Sequence, residues 1–113
     1  MEKIAKKDHI ITVLLALAAL LSVSFLWRHN IALSGVLTVV AGLLLLSSTS
    51  KRVLLYMFMF GAFSGAAAEA LAIHFGTWTY ANPSFVGIPL WLPLLWGIAT
   101  VVIVRVYLLI QKL

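Results

Sequence analysis

The chain has 113 residues, 64% of them hydrophobic, and a formal net charge of +5; with a mean hydropathy of +1.14, this lies outside the range of soluble domains and inside that of integral membrane proteins. The basic residues sit at the ends of apolar runs, as membrane topology requires, and this excludes a nucleic-acid partner. Without cysteine there is no disulfide, thiolate nucleophile or sulfur-ligated metal.

A charged start with Lys3, Lys6 and Lys7 against Glu2 and Asp8 leads into an apolar run over residues 10–27. A basic start before an apolar run also describes a signal peptide. This run is nearly as long as the roughly 20 residues that cross a bilayer, which favours a first transmembrane helix. Arg28, His29 and Asn30 form a short turn, and residues 31–48 make a second apolar run. So short a turn joins only antiparallel neighbours. Thr49, Ser50, Lys51 and Arg52 form the next turn before a third run over residues 53–75, and the fourth covers residues 90–110. The expected fold is an all-α integral membrane protein, a single domain of four antiparallel transmembrane helices. Four crossings place both termini on one face. Lys3, Lys6, Lys7, Lys51, Arg52 and Lys112 lie on that face against Arg28 on the other, so the termini are expected in the cytoplasm of a multi-pass cell-membrane protein.

The third run carries Gly61, Gly65, Ala68 and Ala72 at three-to-four spacing, with Ala62 and Ala66 beside them. Small residues on one face let another helix approach closely. That surface serves the hairpin neighbours, a homo-oligomer or a partner membrane subunit.

Glu69 is the one acidic residue inside an apolar run. It falls roughly 24 Å along the third helix, within the outer half of the hydrocarbon. An ionised carboxylate there is costly, so Glu69 is expected to be neutral or paired in a polar cavity, with Tyr80, Asn82 or Trp78 as hydrogen-bond partners. Arg105 lies roughly 22 Å down the fourth helix, too low to meet Glu69, and reads as a residue that snorkels to the cytoplasmic interface. His74 is some 140° around the helix from Glu69 and reads as interfacial. The aromatic loop with Trp78 and Tyr80 is expected at the outer interface, with Trp91 and Trp27 in the same belt. Pro89 and Pro93 either start and kink the fourth helix or free a backbone carbonyl near Glu69.

Glu69, six intervening residues, Gly76, Trp78 and Tyr80 together resemble the acidic residue and Gly-x-Trp-x-Tyr pattern of small membrane-bound lycopene cyclase domains. Gly87-x-Pro89-x3-Pro93-x2-Trp96 is similar to a stretch of carotenoid hydratases and other carotenoid-biosynthesis membrane proteins. The resemblance spans residues 69–96, about a quarter of the chain. It implies a cyclase or hydratase of the isomerase or lyase class acting on an isoprenoid lipid. Cyclase domains carry acidic residues after their Pro-Leu, whereas Trp91 and Leu92 follow Pro89 and Leu90 here. Only Glu69 therefore carries over as the proton donor.

Protonating a polyene needs an acid in a dry pocket and aromatic faces for the resulting cation, and Trp78, Tyr80, Trp91 and Trp96 are candidates for those faces. Asn82 and His74 complete the candidate substrate-binding set. Two other readings fit the composition. One is a proton-coupled small transporter or channel subunit in which Glu69 exchanges protons, and the other is a non-catalytic assembly subunit. Histidines at 9, 29 and 74 have no metal-site spacing, and no cofactor is expected.

Overall fold

The computed structural model describes residues 6–48 and 50–111. Lys3, Thr49 and Lys112 lie outside the described residues, as do the side chains of Lys6 and Lys7. Four helices follow in order: α1 (Lys6–Leu26), α2 (Asn30–Leu46), α3 (Lys51–His74) and α4 (Leu92–Gln111). Three of them, α1 from Asp8, α3 and α4, are long and apolar enough to cross a membrane, and α2 is a shorter apolar helix of 17 residues.

The helices are not arranged as a symmetric square. α4 packs against the other three, most extensively against α3, while α1 and α3 do not pack against each other. α2 contributes a buried stripe of Leu33, Leu37, Val40, Ala41 and Leu44, spaced three or four apart so that they share one face. Leu54, Phe58, Ile98 and Val101 meet it from α3 and α4.

Three glycines set the approach of α3 to α4. A Cβ added at Gly61 would stand 1.9 Å from Thr100 Oγ1, one at Gly65 2.2 Å from Trp96 Cδ2, and one at Gly97 2.5 Å from Phe58 Cε2. The expected packing surface is therefore used, with α4 as its partner, through Gly61 and Gly65, and Ala62 beside them is buried. Ala72 is half-buried, and Ala68 is exposed.

The fourth helix starts at Leu92, two residues later than expected. Pro93 falls in its first turn, where a backbone N–H has no helical partner, so it starts the helix and neither kinks it nor frees a carbonyl there. Pro89 stays outside the helix, buried, with its carbonyl accepting from the Leu92 N–H at 3.1 Å.

Arg105 corrects the sequence reading. It does not snorkel: only 2% of it is exposed. Nη1 donates to Thr12 Oγ1 at 2.8 Å, and Nη2 donates to the Leu44 carbonyl at 2.9 Å and to Ser47 Oγ at 3.1 Å. Leu44 is in the last turn of α2, where carbonyls lack intrahelical donors and the helix dipole favours a cation. The guanidinium thus caps a neighbouring helix from inside the bundle and ties α1, α2 and α4 together. An interior site with oriented acceptors outcompetes the interface, because the side chain need not extend to reach water.

Replacing Arg105 by Met should destabilise the protein by about 1–3 kcal/mol, since the Leu44 carbonyl would keep only Ser47 as a side-chain donor. Thermal unfolding in mild detergent measures it. Lys, with one nitrogen in place of a fork, should not restore the loss; unchanged stability in both variants would mean that Arg105 contributes no such clamp.

Candidate functional site

Glu69 stands on α3 four residues above Gly65, so the two share a face. Gly65 leaves room for the Trp96 ring, and this brings the Trp96 indole N–H to Glu69 Oε2 as a donor. The Tyr80 hydroxyl donates to Oε1. Both carboxylate oxygens are thus held by neutral donors, one from α4 and one from the connecting loop. Among the described residues no cation is within ion-pair distance of Glu69. Arg105, roughly 13 Å further along α4 than Trp96, is committed elsewhere.

The loop that delivers Tyr80 is built by local chemistry. α3 ends in a Schellman motif: Gly76, at φ +82, follows the cap residue Phe75, and the Thr77 and Gly76 N–H groups donate to the Ala72 and Ile73 carbonyls, both at 3.0 Å. Gly76 is therefore a helix terminator. Further on, Phe85 and Ile88 pair across a tight turn with positive φ at Val86 and Gly87. A Cβ on Gly87 would come within 2.8 Å of Ile73 Cγ2, so the turn lies down on α3.

Asn82 fastens the loop to the α1–α2 turn and does not reach Glu69. Its Nδ2 donates to the Trp27 carbonyl at 3.2 Å, and its own carbonyl accepts from Asn30 Nδ2 at 3.0 Å. Asn30 Nδ2 also donates to Ser84 Oγ at 3.0 Å, which accepts from the Leu90 N–H as well. Trp91 is buried, and its ring stands edge-on to Tyr80 with centroids 6.3 Å apart, so it backs the site from behind. Trp78 is exposed and contributes nothing to the Glu69 cluster. His74 is exposed too, packs edge-on against Phe75, and lines a different hollow beneath Val86 and Gly87.

A cavity of about 240 Å³ adjoins the cluster, lined by Glu69, Tyr80, Leu92, Leu95, Trp96 and Ala99. Glu69 is half-buried and Trp96 is 38% exposed, so the cavity is open on one side. Leu92, Leu95 and Ala99 were not singled out from the sequence. Leu92 lies four residues before Trp96 and Ala99 three after it, the spacing that places both on its face of α4, while Leu95 adjoins it in the chain. The chain matches no protein-family model, no curated protein and no solved structure.

Partial burial, then the hydrogen bond and charge of Glu69, push the Tyr80 phenol far above its usual value. The sign follows from proton counting. Above pH of about 10 the unfolded phenol loses its proton while the folded one keeps it, so stability falls as pH rises through that window. Tyr80→Phe should remove this part of the alkaline dependence, as read by unfolding in detergent at a series of pH values; an unchanged slope would mean that the phenol is not buried against Glu69. Gly65→Ala should cost about 1–3 kcal/mol by overpacking and displace the indole from Glu69. An unshifted Trp96 indole N–H resonance in that variant would contradict the packing origin of the site.

Proposed function

We propose that this is a multi-pass protein of the cell membrane, with both termini cytoplasmic, that binds and modifies a linear isoprenoid lipid using Glu69 as the proton donor. Membrane insertion is supported by the outward side chains: Phe25 is 80% exposed, Ile31 83% and Phe63 70%, a surface that water would not tolerate. The longest dimension, 42 Å, is close to the roughly 40–45 Å of a bilayer with its headgroups.

The observation that carries the chemical reading is a single carboxylate, with two neutral donors on its oxygens, beside a cavity whose other lining is aromatic and aliphatic. A protonated Glu69 would transfer its proton to a terminal double bond. One O–H bond breaks, one C–H bond forms, and a carbocation and a carboxylate result. Tyr80 and Trp96 then stabilise the carboxylate as it develops, an interaction stronger after transfer than before, as catalysis requires. The Tyr80 and Trp96 rings supply negative faces to the carbocation. In a cyclisation, an internal double bond closes on that cation and an adjacent carbon returns a proton to Glu69, so the product is an isomer. In a hydration, water adds to the cation and its surplus proton returns to Glu69. Both outcomes regenerate the acid without a cofactor. The partial resemblance of residues 69–96 to carotenoid-modifying membrane proteins supports the same substrate class.

Expression in a lycopene-producing bacterial host should yield a cyclised or hydrated product, read by chromatography with mass detection. Glu69→Gln should reduce it by about 10²-fold or more while the protein still accumulates in the membrane. An unchanged pigment profile with the unaltered chain present in the membrane would overturn the lycopene-modifying reading.

A further inference from the structure

A helical hydroxyl in an apolar medium has one local remedy, donation to the carbonyl four residues back. Thr12, Ser22, Ser24, Thr38, Ser64 and Thr100 all take it, at 2.6–2.8 Å. Ser34 does not. Its Oγ is buried and has no partner among the described residues, although the Asn30 carbonyl lies four residues back in the same helix. Two other buried side-chain atoms share that condition where α2 meets the loop and the start of α4: Asn30 Oδ1 and the Trp91 indole N–H. The Asn30 amide is held on its nitrogen side, where Nδ2 donates to the Asn82 carbonyl and to Ser84 Oγ, both at 3.0 Å. A carbonyl can only accept, so the first of these bonds fixes which end of the amide is nitrogen and leaves Oδ1 on the other side.

We infer that these three atoms share one buried water, held by Ser34, Asn30 and Trp91 behind the Glu69 cluster. Ser34 lies one turn beyond Asn30 on the face of α2 that carries the buried Leu37 and Ala41. A helical side chain leans over the turn N-terminal to it, so Ser34 Oγ is directed toward Asn30. Side chains at that spacing have Cβ atoms about 5–6 Å apart, the span of two hydrogen bonds that meet at one oxygen. Trp91 approaches from the other side. The Leu90 N–H, one residue before it, donates at 3.1 Å to the same Ser84 Oγ that the Asn30 amide holds, and Trp91 itself is 6% exposed. Donors and acceptors balance: Asn30 Oδ1 accepts, the indole donates and the hydroxyl does either, which suits a water with about three bonds. A cation would face the indole N–H and an anion the Asn30 oxygen, so the mixed set selects a neutral guest. Unpaired, each of the three atoms would carry the full penalty of a desolvated polar group. The water also joins the loop fastening to the ring that backs Tyr80, since Trp91 stands edge-on to Tyr80 and Tyr80 donates to Glu69. It is a positioning element for the cluster and requires nothing of the substrate.

Proton-detected solid-state NMR of the 113-residue chain in lipid bilayers reads the contact directly. The Trp91 indole N–H, assigned by its disappearance in Trp91→Phe, should receive magnetisation from water despite its burial, with the exposed Trp78 as the positive control. That transfer should be lost in Ser34→Ala and kept in Thr38→Ala, because the Thr38 hydroxyl bonds back to the Ser34 carbonyl and takes no part. Thermal unfolding in mild detergent gives a second readout with opposite signs for the two cases. If the hydroxyl is bridged by water, Ser34→Ala removes a satisfied bond and should lower the midpoint by about 4 °C or more, whereas loss of an orphaned hydroxyl would raise it or leave it unchanged. A dry Trp91 indole in the unaltered chain would overturn the water site, and so would a Ser34→Ala midpoint at or above that of the unaltered chain. Neither readout depends on whether a pigment is modified, so the water site and the lycopene chemistry stand or fall separately.

Discussion

The close approach of α3 to α4 is the constraint on which the rest depends. Association of α3 with α4 relies on close packing, and glycine lets the backbones come near enough for it. Gly61 receives Thr100, Gly65 receives Trp96 and Gly97 receives Phe58. The second of these contacts makes the site. The indole fills the space that a side chain on Gly65 would occupy, and one helical turn further its N–H is opposite the Glu69 carboxylate. The polar centre is therefore a consequence of apolar packing, and Tyr80 completes it only because the loop is pinned by Gly76 at one end and by Asn30, Asn82 and Ser84 at the other.

Two ionisable side chains, Arg105 and Glu69, lie within the bundle, and each bonds to neutral groups, although the buried Arg105 Nε has no partner among the described residues. Arg105 donates to Thr12, the Leu44 carbonyl and Ser47, while Glu69 accepts from Tyr80 and Trp96. Their separation of roughly 13 Å along the bundle leaves about 1 kcal/mol of mutual attraction at an effective dielectric constant of about 20. The three hydrogen bonds from the Arg105 guanidinium, at about 1.5–3 kcal/mol apiece, outweigh that.

The sequence reading was sound where the cause is local. Apolar runs broken by short charged turns locate the helices to within a few residues, and the lone acid in an apolar run singles out Glu69, with Tyr80 among its expected partners. Gly61 and Gly65 announce a packing face. What could not be read depends on where helices lie relative to one another. Trp91 and Trp96 are equally aromatic and five residues apart, yet only the start of α4 at Leu92 decides that Trp96 faces Glu69 while Trp91 is buried behind Tyr80. The placement of Arg105 needed Thr12 and Ser47, which lie 93 and 58 residues away in the chain. The hydrogen bond from Asn82 to the Trp27 carbonyl was hidden for the same reason, since its partner belongs to a turn 55 residues away.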